Sequence, residues 1–311
     1  MACFLPPGGG ASAARRKRVV RIARFRLGGT SSWGIVEDDR VIDASAVGTL
    51  EALLEATDPA ARLRGASGGP SRTLGDVTLL APVQPRQDVI ALGINYRQHV
   101  DESAFATQQF TAPRQPVLFS KAARSVIGPD EAITYDRSVT SEVDWEVELA
   151  IVIGRPGRDI EARNALEHVF GYTIANDVSA RDLQFLDGRQ WYRGKSLDTF
   201  CPLGPWVVTR DELGDASGLR VSLRVNGVTK QSGSTDDLIF GVADIIASVS
   251  SGRTLGPGDV ILTGTPPGVG FTRQPPEFLH DGDVVEAEIE GIGILRNGVR
   301  EISRARAAGP G

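Results

Sequence analysis

The chain has 311 residues, 41% apolar and 23% charged, enough for a full-sized core in one large or two smaller domains. Its net charge of −5 and pI near 5.4 argue against nucleic acid as the main ligand, because phosphate binders carry a basic excess. No run approaches the ~20 apolar residues that a membrane helix requires.

Residues 1–18 are Gly/Ala-rich and end in Arg15-Arg16-Lys17-Arg18, and no acidic residue precedes Glu37. The segment lacks the apolar stretch of a secretory signal and the amphipathic pattern of an organelle presequence. It reads as a disordered tail on a cytoplasmic protein, with a mitochondrial address as the second reading. Only two cysteines occur, Cys3 and Cys201, so neither a disulfide framework nor a zinc site is expected.

A strand is predicted over 19–27, then a hairpin of 33–36 and 40–42 around Asp38-Asp39. Thr49 can cap a helix over 50–63 with Leu50, Leu53, Leu54 and Leu63 on its apolar stripe. Gly65-Ala66-Ser67-Gly68-Gly69 matches the Gly-x-Ser-x-Gly pattern of serine hydrolases. It is rejected, since that elbow needs a strand before it and a helix after it. A boundary near residue 85 closes a small N-terminal domain, 19–85, ahead of a larger one, 86–306.

The second unit opens with a strand over 88–92. Gly93-Ile94-Asn95-Tyr96 turns out of it into a polar segment that carries His99 and Glu102. A strand over 116–120 follows, then a connection from Lys121. Residues 144–153 read as a further strand, ended by Gly154-Arg155-Pro156-Gly157. A helix over 162–169 and a buried strand over 172–175 lead to Asn176-Asp177. Residues 188–198 form a polar loop holding Lys195. Strands over 206–209 and 219–225, a turn at Asn226-Gly227 and a helix over 238–250 come next. A strand over 259–263 runs into Gly264-Thr265-Pro266, and a last strand covers 283–289.

Side chains in a strand alternate faces, so Glu146 and Glu148 share one, about 6.5–7 Å apart along the chain. On a wet face that is unremarkable, and Glu286, Glu288 and Glu290 repeat the pattern on what reads as a solvated sheet face. On an enclosed face the pair needs a cation, and oxygen ligands suit a hard dication. Asp177, at a strand exit, either caps the next turn or completes a three-carboxylate shell that suits Mg²⁺ or Mn²⁺. His99 and Glu102, three apart, share a face if helical and form either a surface pair or a proton-moving dyad. Lys195 is either a solvated lysine or the partner of a substrate carboxylate or carbonyl. Gly264-Thr265-Pro266 offers a carboxylate cradle but not a phosphate loop, because Pro266-Pro267 removes two donors.

Taken together, six ordered motifs between 86 and about 295 resemble the fumarylacetoacetate hydrolase superfamily. They are Gly93-Ile94-Asn95-Tyr96-x-x-His99-x-x-Glu102, Asp144-Trp145-Glu146-Val147-Glu148-Leu149, Asn176-Asp177-Val178-Ser179-Ala180-Arg181-Asp182, Gly194-Lys195-Ser196, Gln231-x-Gly233-x-Thr235, and the run from Gly258 through Thr265 to Gly270. Within the superfamily the chain is most similar to the domain-containing protein 2 type and the 2-hydroxyhepta-2,4-diene-1,7-dioate isomerase-like members. The resemblance implies an α+β fold built on a mixed β-roll with a small N-terminal α+β domain, and a homodimer. It places Mg²⁺ or Mn²⁺ on Glu146, Glu148 and Asp177. It assigns catalysis to His99, Glu102 and Lys195, on a lid for the first two, and substrate binding to Lys195, Thr265 and Gln231. The implied substrate is a small 2-oxo or diketo acid handled through enolate chemistry. Hydrolysis of a C–C bond in acylpyruvate-like substrates is the first outcome expected. Tautomerisation or decarboxylation of oxaloacetate, or isomerisation of a hydroxydienedioate, is the alternative. A non-catalytic metabolite-binding dimer is the rival of another class.

Overall fold

The computed structural model describes residues 20–66, 68–98, 113–187 and 189–303. His99, Glu102, Cys3 and Ser67 lie outside that set. The fold is α+β with mixed sheets. The larger sheet runs, in spatial order, Ser71–Thr73, Arg40–Asp43, Thr30–Glu37, Arg21–Leu27, Cys201–Thr209, Val169–Asn176, Val147–Ile153, Val260–Leu262, Val89–Gly93 and Val117–Lys121. Ile22 pairs with Val207, so the N-terminal strands continue the sheet that holds Glu148. A second sheet is ordered Val228–Ser234, Arg220–Val225, Val284–Ile289, Gly293–Glu301 and Ile133–Tyr135.

Strand Val147–Ile153 lies at the centre and is buried along its whole length. Val147, Leu149 and Ile151 pack into one core with Leu223, Ala287 and Ile245. Ala150 and Val152 pack on the other face with Leu53, Leu54 and Val207. Both faces are covered, so its sequence shows a near-continuous apolar run rather than a clean alternation. The strand Val284–Ile289 behaves as its charge pattern predicts. Val285, Ala287 and Ile289 are buried, while Glu286 and Glu288 are partly exposed and pair with Arg224 at 3.2 and 2.8 Å.

Several local expectations hold. Thr49 Oγ1 accepts from Ala52 N–H at 3.1 Å and caps the helix after it. Asn226 and Gly227, at φ 51° and 77°, form the left-handed pair that a type I′ hairpin requires. Others are corrected. The helix over 50–63 is two, Leu50–Leu54 and Pro59–Gly65. Pro59 cannot continue a helix but suits a first turn, and Asp58 caps the new start at 2.9 Å. Residues 162–168 form a 3₁₀ helix rather than an α-helix. The polar loop over 188–198 contains a short helix, Trp191–Lys195. The helix over 238–250 begins only at Val242. The strand over 144–153 is interrupted. Val143–Asp144 pairs with Ser179–Ala180, Trp145 and Glu146 bridge, and the long strand starts at Val147.

Asn95 fixes the chain where it leaves strand Val89–Gly93. Its amide nitrogen donates to Thr263 O at 2.8 Å and Phe240 O at 3.1 Å. Its amide oxygen accepts from Phe240 N–H at 2.9 Å. Replacing Asn95 by Ala would leave buried backbone groups unpaired, at roughly 1–3 kcal/mol for each. Urea denaturation of Asn95→Ala should therefore show a lower midpoint with an unchanged slope; a midpoint equal to that of the parent would contradict the clamp.

Candidate active site

Two segments are zipped side by side to build the site. Asp177 N–H donates to Glu146 O at 2.8 Å, and Glu146 N–H donates to the Asn176 side chain at 3.0 Å. In the strands that follow, Val147 faces Asn176 and Glu148 faces Ala175. This register places Glu146, Glu148 and Asp177 together, with one carboxylate oxygen from each within 4.8 Å of the others. All three are buried. The two alternatives left open by the sequence are thereby narrowed: the Glu146–Glu148 face is enclosed, and Asp177 caps no helix.

Such a cluster repels itself unless cations neutralise it. Three buried cations do so. Lys195 Nζ donates to Glu146 Oε2 and Asp177 Oδ2, both at 2.7 Å. Lys121 Nζ donates to Asp177 Oδ1 at 2.6 Å. Arg181 bonds Glu146 Oε1 at 2.6 Å and Asp144 Oδ2 at 2.8 Å, and its third nitrogen reaches Gln184. Asp144 also accepts from Gly270 N–H at 2.7 Å and Phe271 N–H at 3.1 Å. Glu148 Oε2 accepts from Gly264 N–H at 2.6 Å. Burial, then Asp177 and Glu146, push the Glu148 carboxyl well above its ordinary range, with Lys195 opposing. Burial opposes the Lys195 charge, yet Asp177 and Glu146 outweigh it and hold the ammonium above its ordinary range.

Glu146, Glu148, Arg181, Lys195 and Thr265 face a cleft whose empty volume, mouth included, is about 440 Å³. Its outer wall is apolar: Leu92, Phe119, Phe185, Trp191 and Phe271. Gly93 admits the Trp191 ring, since a Cβ there would lie 2.4 Å from it. Ile94, also lining the cleft, sits at φ 58°, an uncommon conformation for a β-branched residue.

Thr265 Oγ1 donates to Val147 O at 2.9 Å and accepts from Gln231 Nε2 at 2.8 Å. Gln231 Oε1 accepts from Val147 N–H at 3.0 Å, and Nε2 also donates to Pro266 O. Gln231 is thus spent on holding Thr265 and the strand start, and it is not among the residues lining the cleft. Sequence reasoning missed Lys121, Asp144 and Arg181. The last two stand inside motifs already singled out. Lys121 had one faint signal, a lysine closing a mostly apolar strand.

The donor set is three carboxylates with oxygens converging on one small region, which is the chemistry a hard dication takes. The ammonium of Lys195, bridging Glu146 and Asp177, shows that this region already holds positive charge.

Residues 88–300 match the family described as fumarylacetoacetate (FAA) hydrolase C-terminal. The chain belongs to the fumarylacetoacetate hydrolase family. Residues 20–82 match a second family, described as Rv2993c-like, N-terminal. Among curated relatives of this family, the chain is 49% identical over 247 residues to human mitochondrial oxaloacetate tautomerase FAHD2A, covering 79% of this chain and 76% of that one. It is 43% identical over 226 residues to oxaloacetate tautomerase YisK of Bacillus subtilis, covering 72% and 74%. Among solved structures, fumarylacetoacetate hydrolase of Exiguobacterium antarcticum aligns with a TM-score of 0.79 at 42% identity, covering 91% of this chain and 100% of that one. The 2-hydroxyhepta-2,4-diene-1,7-dioate isomerase of Mycobacterium marinum aligns at 0.70 and 38%, covering 91% and 98%. Among the described residues, no helix is long and apolar enough to cross a membrane.

Arg181 ties two buried carboxylates together, so removing it leaves Asp144 on backbone donors alone, with no cation among the described residues, and leaves Glu146 to Lys195. Breaking a buried pair costs about 3–5 kcal/mol, and Arg181→Met should lower the urea midpoint by a corresponding margin. A loss below about 1 kcal/mol, the range of surface pairs, would show that Asp144 and Glu146 do not depend on it.

Proposed function

We propose that this protein is a divalent-metal-dependent enzyme that interconverts the keto and enol forms of a small 2-oxo acid such as oxaloacetate. The observation that carries this reading is the buried carboxylate triad beside Lys195 in a chain whose relatives, animal and bacterial, bear the name oxaloacetate tautomerase. Those names shift the weight from C–C bond hydrolysis, the first outcome expected from the sequence, to the alternative stated beside it. Tautomerisation also asks less of the site. It moves one proton between carbon and oxygen and needs no activated water.

In this reading Glu146, Glu148 and Asp177 would hold Mg²⁺ or Mn²⁺, which supplies a Lewis acid that polarises the 2-oxo group. Arg181 and Gly264 N–H keep Glu146 and Glu148 turned inward. Lys195, protonated and dry, adds positive charge beside the oxygen where enolate charge develops. Thr265, its oxygen held by Gln231, would turn its O–H from Val147 O to the substrate carboxylate. The apolar wall of Phe119, Trp191 and Phe271 keeps water from the enol and strengthens these interactions. His99 and Glu102 are proposed as the proton-moving dyad, on the resemblance of the motif alone. A homodimer is proposed on the same resemblance; the cytoplasmic reading comes from the sequence itself, and the mitochondrial label belongs to the animal relatives.

The test is a substrate panel with Mg²⁺. Enol-oxaloacetate should lose its enol absorbance faster than in buffer, without pyruvate release. Pyruvate formed from an acylpyruvate would instead support hydrolysis. Oxalate binding without turnover of any panel member would support the non-catalytic dimer. Glu148→Gln should lower turnover by on the order of 10²-fold or more, as expected for loss of an electrophile held in the site.

A further inference from the structure

Lys121 is the largest charged side chain of the cluster that never reaches the cleft. It is fully buried, at 0% exposure, and is absent from the cleft lining. Its ammonium has three protons and three acceptors: Asp177 Oδ1 at 2.6 Å, Val178 O at 3.1 Å and the backbone carbonyl of Lys195. It therefore joins the edge strand Val117–Lys121, the exit of strand Val169–Asn176 and the helix Trp191–Lys195.

Two of these acceptors are neutral carbonyls, and a buried ammonium on those alone would stand uncompensated. This one also takes an oxygen of a triad carboxylate. With every group ionised, the four carboxylates Asp144, Glu146, Glu148 and Asp177 face the three cations Lys121, Arg181 and Lys195. One negative charge remains, and a dication turns that into one positive charge. Without Lys121 the balance would be two negative before an ion and neutral after it. The ion would be gripped harder, and an anionic ligand would meet no net attraction.

We propose that Lys121 is a positioning residue that weakens the triad's hold on a dication and so reserves positive charge for an anionic ligand in the cleft. It does this through its charge, held against one oxygen of Asp177. This inference rests on the triad being a metal site.

The test reads two affinities that should move in opposite directions. Mn²⁺ binding is followed by the loss of free-ion EPR signal, and oxalate binding to the Mn²⁺-loaded protein by calorimetry. Lys121→Met should bind Mn²⁺ at least tenfold more tightly and oxalate at least tenfold more weakly, a floor well below the roughly 10³-fold that a unit charge 4 Å away exerts on another at an effective dielectric near 20. Lys121→Gln, which keeps a donor for Asp177, should show the same opposed shifts if the methionine variant fails to fold. Lys121→Arg, which keeps the charge, should stay near the parent in both. Damage to the fold alone would weaken both affinities together, and that result, or no change in either, would overturn the proposal. If the parent protein takes up no Mn²⁺, the metal reading falls and this inference falls with it; if the parent does and the variants show no opposed shift, only this inference fails.

Discussion

The structure depends on one constraint: four carboxylates held out of water must be neutralised where they stand. Asp144, Glu146, Glu148 and Asp177 are each at most 6% exposed. Burying unpaired charge costs several kcal/mol per ion even after relaxation. Arg181, Lys195 and Lys121 meet that cost through short, directed hydrogen bonds, and Gly264, Gly270 and Phe271 add backbone donors. The surrounding architecture follows from this need. The interruption at Trp145-Glu146 lets Glu146 turn toward Asn176-Asp177. The short helix Trp191–Lys195 carries Lys195 to Glu146 and Asp177.

The same constraint separates the two glutamate runs of the chain. On strand Val284–Ile289 the charges meet solvent and Arg224, and their pairs are of the exposed kind that contribute little. On Val147–Ile153 both sheet faces are covered, so Glu148 has no solvent to retreat to. An identical spacing therefore has opposite meanings, decided by which strands lie beside it. Only the tertiary fold supplies that information.

Much of the fold was legible in the sequence because it is written in local signals. The Asn226-Gly227 hairpin, the Thr49 cap and the solvated alternation of 284–289 each rest on near neighbours. The misreadings have two causes, one local and one tertiary. Pro59 broke a helix whose apolar spacing was otherwise continuous. Trp191–Lys195 is helical because Trp191 packs edge-on against Phe119 at 5.2 Å and over Gly93, contacts about 70 to 100 residues away in sequence. At the site, ordered motifs singled out Glu146, Glu148, Asp177, Lys195 and Thr265, and the structure gathers all five. Lys121 carried no motif, since its acceptors are an aspartate 56 residues on and two backbone carbonyls. Gln231 was expected at the cleft but spends both ends of its amide on the strand start and Thr265.

The central claim is that one dication sits among Glu146, Glu148 and Asp177 and draws a 2-oxo acid into the cleft. Anomalous diffraction from a crystal soaked with Mn²⁺ and oxalate tests it most directly. The account predicts a single strong peak in direct contact with one oxygen of each of the three carboxylates, with oxalate on the side facing Thr265 and the Lys195 ammonium moved off its bridge. A peak elsewhere, or no peak while Lys195 still spans Glu146 and Asp177, would contradict it.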